Sequence, residues 1–158
     1  VILFLSLALE STLFDQLTFY GVKPDLLLIT VLIYALFRGS ISGARLGFVY
    51  GLLEDLLLGR FVGLNAASKM LTGYLIGLGE RRFFKDNIAV PILVIFGGTF
   101  ISHIFYVLFS TIVSGQSQFN FFSQHALPFA VYNGVMGLIF YKPFSKYLKT
   151  EATRIKYK

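Results

Sequence analysis

Carboxylates and a lysine stand inside long apolar stretches of this sequence. Glu54 and Asp55 follow the apolar residues of one stretch, and Asn65 and Lys69 open the next. Because ionisable groups are costly inside a bilayer, such residues usually pair with one another or line a polar site. We predict that Lys69 contacts Asp55 or Glu54, with Asn65 beside them. Glu10, from an earlier stretch, either joins this cluster or stands alone near the membrane surface.

Two interpretations of this cluster remain open. In the first it lines a polar pocket that opens to the outer side of the membrane. In the second it is a buried ion pair that locks two neighbouring helices together, because a paired carboxylate and ammonium satisfy each other without any ligand.

Residue patterns for catalysis or metal binding do not stand out. The chain has no cysteine, which excludes disulfides and thiolate metal sites, and its two histidines, His103 and His125, are far apart in sequence. A proton relay would need acids along a path through the membrane, and no such series is present. We predict no catalytic residue, no metal site and no cofactor, and interpret His103 as a hydrogen-bonded structural residue.

Glycine recurs at every fourth position in Gly39, Gly43, Gly47 and Gly51. Residues four apart lie on one side of a helix, so this series forms a ridge without side chains. Each interior glycine costs roughly 0.8–1 kcal/mol in a soluble helix, but in a bilayer small residues let two helices touch. The ridge therefore predicts a packing surface, either for another helix of this chain or for a helix of a partner.

Composition places these patterns in a membrane. Of the 158 residues, 56% are hydrophobic and only 14% are charged, whereas about a quarter of the residues are charged in a typical soluble domain. No stretch has the composition of a polar linker. We therefore predict an all-α integral membrane protein with one bundle.

Hydrophobic runs predict six transmembrane helices, over about 1–20, 24–38, 41–58, 64–79, 88–113 and 126–141. Pro24 and Asp25 open the second of these, because proline is tolerated in the first helical turn. At roughly 1.5 Å per residue this helix is shorter than the hydrocarbon core of about 30 Å. We favour a short spanning helix over a re-entrant one.

The segment 144–158 is basic and carries apolar residues at helical spacing. It is typical of an interfacial amphipathic helix that binds anionic lipid. A frayed basic end is the alternative. The stretch 114–125 is predicted as a loop, with Phe119, Phe121 and Phe122 in it.

Basic residues predict the orientation. With both termini in the cytoplasm, only Lys23 and Arg60 fall on the outer side, and Lys69 lies within a helix. The inner side then holds Arg38, Arg45, Arg81, Arg82, Lys85, Lys142, Lys146, Lys149, Arg154, Lys156 and Lys158. Such an excess on one side is a strong topology signal.

A series of short motifs between about residues 20 and 80 resembles the MreD family of rod shape-determining proteins. They are Gly21 with Pro24 and Asp25, Arg38 with Gly39, Gly43, Gly47 with Phe48, Gly51 with Asp55, Gly59, Gly63 with Leu64 and Ala66, and Gly73 with Tyr74 and Gly77. The later helices resemble the family mainly in hydrophobicity and in the basic tail.

This resemblance implies a non-enzymatic protein of the bacterial cytoplasmic membrane that acts in the cell-elongation machinery. The implied partners are MreC and, beyond it, MreB filaments and the RodA synthase with its penicillin-binding transpeptidase. Homo-oligomers are also compatible with the sequence. The implied fold is similar to the six-helix substrate-binding component of energy-coupling-factor transporters.

Two functions are therefore carried forward. The favoured one is a membrane scaffold that binds MreC, with Pro24, Asp25 and the glycine ridge in helix packing or partner contact. The alternative is a membrane subunit that captures a small molecule from outside for such a transporter, through Glu54, Asp55, Asn65, Lys69 and Glu10.

Overall fold

The computed structural model describes residues 23–58, 61–80, 89–116 and 119–156. These residues form five helices: α1 (Leu26–Arg38), α2 (Ser40–Leu58), α3 (Leu64–Leu78), α4 (Ala89–Ser114) and α5 (Phe119–Lys156). The described part of the chain is all-helical, as predicted. The helix predicted over 1–20, with Glu10 in it, lies outside the described residues.

Helix α1 lies at the centre of the bundle and contacts each of the other four helices. Ten of its 13 residues are buried. This burial follows from its sequence, because Leu26–Arg38 is apolar on all sides, and a helix without a polar face is covered all round. The other helices of the bundle, rather than lipid, therefore cover this short helix of about 20 Å.

One residue, Gly39, separates α1 from α2. Its φ of 84° and ψ of 179° lie in a region that residues with a side chain rarely adopt. Its N–H donates to the carbonyl oxygen of Ala35 at 2.9 Å, and its own carbonyl accepts from the N–H of Gly43 at 2.9 Å. This first member of the glycine series thus makes a chain reversal possible.

The rest of the series packs α2 against α3. A Cβ atom on Gly43 would lie 2.6 Å from the carbonyl oxygen of Gly73, and one on Gly73 would lie 2.5 Å from the carbonyl oxygen of Gly43. A Cβ on Gly47 would collide with the backbone of Lys69, and one on Gly51 with the backbone of Ala66. The two antiparallel helices are therefore in backbone contact, and the ridge is filled by a helix of the same chain.

Each of the first four described helices begins and ends within two residues of the bounds predicted from the sequence. The fifth does not. It was predicted over 126–141 after a loop and before a separate tail, but one helix runs from Phe119 to Lys156 with Pro128 and Pro143 inside it. Each proline removes a backbone hydrogen bond and strains the preceding turn.

Apolar packing accounts for the continuity of α5 through Pro143. Tyr141 and Leu148 are buried in the same cluster as α1, and Phe144 packs against that cluster between them. These residues lie on one side of the helix, so burial on both sides of the proline favours a single helix over a break. The expected end at Lys142 and Pro143 was wrong for this reason.

Large apolar side chains cover much of the outer surface. Helix α4 is long and apolar enough to cross a membrane, and only 28% of its most apolar stretch is buried. In the core helix of a soluble protein most of it would be buried. Among the described helices, α4 is the one that meets both the length and the composition of a span, and α1 is a shorter apolar helix.

Candidate functional site

The side chain of Lys69 is buried between two carboxylates. It extends from α3, is 1% exposed as a residue, and its Nζ lies 2.5 Å from Asp25 Oδ2 and 2.5 Å from Glu54 Oε2. Asp25 stands at the start of α1 and Glu54 near the end of α2. One ammonium thereby joins three helices.

Asp25 has a second role as the N-cap of α1. Its Oδ1 accepts a hydrogen bond from the N–H of Leu28 at 2.7 Å, which satisfies one of the backbone donors that a helix start leaves without a partner. The cap and the ion pair use different oxygens of one carboxylate. The orientation of α1 is thus tied to the position of Lys69.

Two further polar residues extend this arrangement to α4 and α5. The backbone N–H of Asp25 donates to Asn133 Oδ1 at 2.9 Å, and Asn133 Nδ2 donates to Thr99 Oγ1 at 3.2 Å. Asn133 and Thr99 have no exposed surface. We call these five residues the polar network: Glu54, Lys69, Asp25, Asn133 and Thr99. It includes a residue of each of α2, α3, α4 and α5, and the N-cap of α1.

Asp55 takes no part in the polar network. Its carboxylate accepts hydrogen bonds from the backbone N–H groups of Gly63 at 2.8 Å, Asn65 at 3.2 Å and Ala66 at 3.1 Å, and from Asn65 Nδ2 at 2.9 Å. Gly63, the N-cap residue of α3, has no side chain to cap the helix. Asp55 supplies that cap from the preceding helix, where a negative charge also suits the helix dipole.

Of the two predicted carboxylate partners of Lys69, Glu54 lies against its ammonium and Asp55 does not. Successive residues of a helix point about 100° apart, because an α-helix has 3.6 residues per turn. Glu54 therefore points towards Lys69, while Asp55 points towards the start of α3. Asn65, expected beside Lys69, contacts Asp55 instead.

From the sequence, Asp25 was expected only in packing or partner contact, and Asn133 and Thr99 were not expected in a polar site. A signal was present for each. An aspartate directly before an all-apolar helix is an N-cap candidate, and Asn133 and Thr99 are polar residues within apolar stretches. Which of these groups meet was not readable, because 108 residues separate Asp25 from Asn133.

Other predicted residues lie apart from the network. Pro24 precedes the N-cap of α1 rather than lying in its first turn. His103 on α4 is partly buried, and its ring lies 5.6 Å from the ring of Phe129. Within the described segments, no group of three or more histidine, aspartate or glutamate residues could hold a metal ion.

The polar network can hold the helices together through buried ionic and hydrogen-bonded contacts. Removal of one partner from a buried ion pair typically costs about 3–5 kcal/mol, because the other charge is left buried without compensation. The side chains of Asp25 and Glu54 are 12% and 18% exposed, respectively. Binding of a ligand at this place stays a prediction.

A family model for the rod shape-determining protein MreD matches residues 1–151. No curated protein and no solved structure gives a significant match. The family is one of membrane proteins that determine rod shape, and the match gives no support to the alternative of a transporter subunit. Motifs, apolar surface and this match over nearly the whole length agree, and the chain belongs to the MreD family of rod shape-determining membrane proteins.

Proposed function

We propose that this protein is a non-catalytic scaffold of the rod-shape machinery, with several spans in the bacterial inner membrane. It binds MreC and helps to couple MreB filaments to peptidoglycan synthesis by RodA and its transpeptidase partner. The family match over residues 1–151 carries this proposal. A role in rod shape follows from the family, and the partners are those that membership implies.

The proposed topology has six spans and both termini in the cytoplasm, in a bundle similar to the substrate-binding component of energy-coupling-factor transporters. In this proposal the six spans are the five described helices and the apolar stretch 1–20. The excess of basic residues on the proposed inner side supports this orientation.

Exposed apolar residues on α4 offer the surface for MreC. Leu93, Phe100, Ile104 and Leu108 are all exposed by at least 36%, and they recur at the spacing of one helix face. Gly97 lies in the same row, and a Cβ atom there would meet nothing within 4 Å. A gap of this kind lets a partner helix approach closely in a bilayer. We therefore place the transmembrane helix of MreC on this face, since α3 already fills the glycine ridge.

Co-purification with MreC and site-specific crosslinking test this proposal. The chain has no cysteine, so photo-reactive labels on single cysteines report one position each. Labels at Phe100 and Ile104 should crosslink to MreC, whereas labels at Leu56 and Leu57, which are also exposed but lie on α2, serve as matched controls.

Failure to co-purify with MreC under mild detergent would contradict the partner itself. Crosslinks from α2 and none from α4 would support MreC as the partner but would place its contact surface on α2 instead of α4. Loss of rod shape in cells that lack the protein, restored by the wild-type chain, checks the role in cell shape separately.

A further inference from the structure

One side of α2 is apolar and exposed along most of its length. Ile41, Phe48, Val49 and Leu56 are each exposed by at least 45%, and their spacing places them on one side of the helix. The opposite side carries the glycines that contact the backbone of α3. We call these four residues the exposed face of α2. In a helix that spans a membrane, such a face meets lipid.

Arg45 lies in the middle of the exposed face of α2. It is four residues from Ile41 and from Val49 and three from Phe48, and its side chain is exposed. No acceptor among the described residues lies within hydrogen-bond or ion-pair distance of its guanidinium. A positive charge is therefore presented to the membrane without a partner from the described part of this chain.

The carboxylates of the same helix do not compensate this charge. Glu54 contacts the ammonium of Lys69, and Asp55 caps the start of α3. Both are about two and a half turns further along α2 than Arg45. Because an uncompensated charge on an apolar face is costly in a bilayer, Arg45 needs an anionic group from outside the bundle.

The position of Arg45 along α2 puts its charge within reach of lipid headgroups. Helix α2 has 19 residues, which gives a length of about 28 Å, close to the hydrocarbon core of about 30 Å. Its two ends therefore lie near the two surfaces of that core. Arg45 comes five residues after Ser40, the first residue of α2, which is about 8 Å along the helix axis.

Helix geometry also sets the direction of this side chain. Each Cα–Cβ bond of an α-helix is tilted towards the N-terminus of the helix, and the N-terminus of α2 is the end nearer to Arg45. The long apolar stem of an arginine can cover apolar surface while its charged end reaches the headgroup layer. The guanidinium is thus directed towards the nearer membrane surface.

A lipid phosphate suits this position better than an acid of a partner helix. Acids on spanning helices are rare because they carry the same cost as Arg45 itself. Phosphates line the whole surface of the bilayer, and anionic lipids make the cytoplasmic surface negative. A guanidinium can bind a phosphate through two parallel hydrogen bonds.

We propose that Arg45 binds the phosphate of an anionic phospholipid in the cytoplasmic leaflet, and that this lipid lies on the exposed face of α2. The inference rests on the proposed orientation of the bundle, in which α2 starts on the cytoplasmic side. It gives the protein a lipid site that is separate from the face of α4 proposed for MreC.

Fluorescence quenching measures which lipid lies at this position. The chain has no tryptophan, so F48W places a single reporter on the exposed face of α2 beside Arg45. The full chain with F48W is reconstituted, without MreC, in mixtures of phosphatidylcholine and phosphatidylglycerol, one of which has brominated acyl chains that quench tryptophan. Quenching should show a preference for phosphatidylglycerol of about fivefold, the effect of one basic residue near a membrane surface.

The variant F48W/R45Q should reduce this preference to less than twofold, whereas F48W/R45K keeps the positive charge and should retain most of it. A reporter on another lipid-facing helix is the matched control. Phe100 is exposed on α4, which contains no basic residue other than His103, so F100W should show a preference of less than twofold.

Equal preferences in F48W and F48W/R45Q would overturn the proposal. A fivefold preference at F100W would also overturn it, because the net charge of the chain would then attract anionic lipid to the whole surface.

Co-purification with MreC separates this proposal from the scaffold role. The R45Q variant should co-purify with MreC as well as the wild type does. Loss of MreC from R45Q would make an acid of the partner the group that Arg45 meets, and it would overturn the lipid proposal. Failure of the wild type to co-purify would contradict only the scaffold role, since quenching is measured without MreC.

Discussion

The ammonium of Lys69 and the carboxylate of Asp25, 44 residues apart in sequence, form a 2.5 Å hydrogen-bonded ion pair inside the bundle. Asp25 is also the N-cap of the central helix. The ion pair therefore acts on the element that every other described helix contacts.

Lys69→Met should destabilise the protein by about 3–5 kcal/mol, because it leaves two carboxylates, Asp25 and Glu54, without their ammonium. The free energy of unfolding in mixed micelles checks this. Lys142→Met, which removes an exposed lysine, should change it by less than about 0.5 kcal/mol.

The triple variant K69M/D25N/E54Q should recover most of the loss, since no buried charge then lacks a partner. If the Lys69→Met variant were as stable as the wild type, this would contradict both a structural role of the ion pairs and a ligand site built on Lys69.

Asp55→Ala should lower the free energy of unfolding by at least about 2 kcal/mol, because hydrogen bonds to a charged acceptor contribute about 1.5–3 kcal/mol each and are not additive. Hydrogen exchange should speed up at the N–H groups of Gly63, Asn65 and Ala66, which donate to that carboxylate. Asp55→Asn keeps an acceptor oxygen and should cost less. Unchanged exchange at these three amides would rule out the capping role.

Gly47→Ala should destabilise by roughly 1–3 kcal/mol or more, because the added methyl group meets the backbone of Lys69. Gly97→Ala is the matched control, since a Cβ there meets nothing within 4 Å. It should be neutral or stabilise by up to about 1 kcal/mol, as alanine favours the helix. Equal effects in thermal unfolding would contradict the backbone contact between α2 and α3.

Asn133→Leu should cost about 1–3 kcal/mol, because it removes the acceptor for the buried N–H of Asp25. Thr99→Val removes only the weaker bond at 3.2 Å and should cost about half as much. Chemical unfolding of both variants checks the order. A larger loss for Thr99→Val would mean that the network does not run through Asn133.

Local rules made much of the fold readable from sequence. Apolar runs and turn glycines placed four helices within two residues of their bounds, because helix length and termination depend on neighbouring residues. The spacing of Gly43, Gly47 and Gly51 likewise predicted a packing ridge. Its occupant, α3, is the next helix along the chain, the commonest neighbour of a packing helix.

Tertiary contacts decided what the sequence left open. The meeting of Asp25 with Asn133 depends on how α1 and α5 pack, and no local pattern encodes it. The continuation of α5 through Pro143 was missed because proline locally favours an end, whereas burial of Tyr141 and Leu148 against α1 favours continuation. Which of Glu54 and Asp55 faces Lys69 depends on the rotation of α2 about its own axis, which only its packing determines.

Backbone contact between α2 and α3 also constrains which substitutions this chain can accept. At Gly43, Gly47, Gly51 and Gly73 even the smallest added side chain meets the opposite backbone, so these positions accept glycine and little else. The outward faces of the same helices, with Phe48, Val49 and Leu75 exposed, can exchange one apolar residue for another. Mutational tolerance is therefore unevenly divided within a single helix, and a saturation scan scored by rod shape should show a four-residue rhythm of intolerant positions along α2.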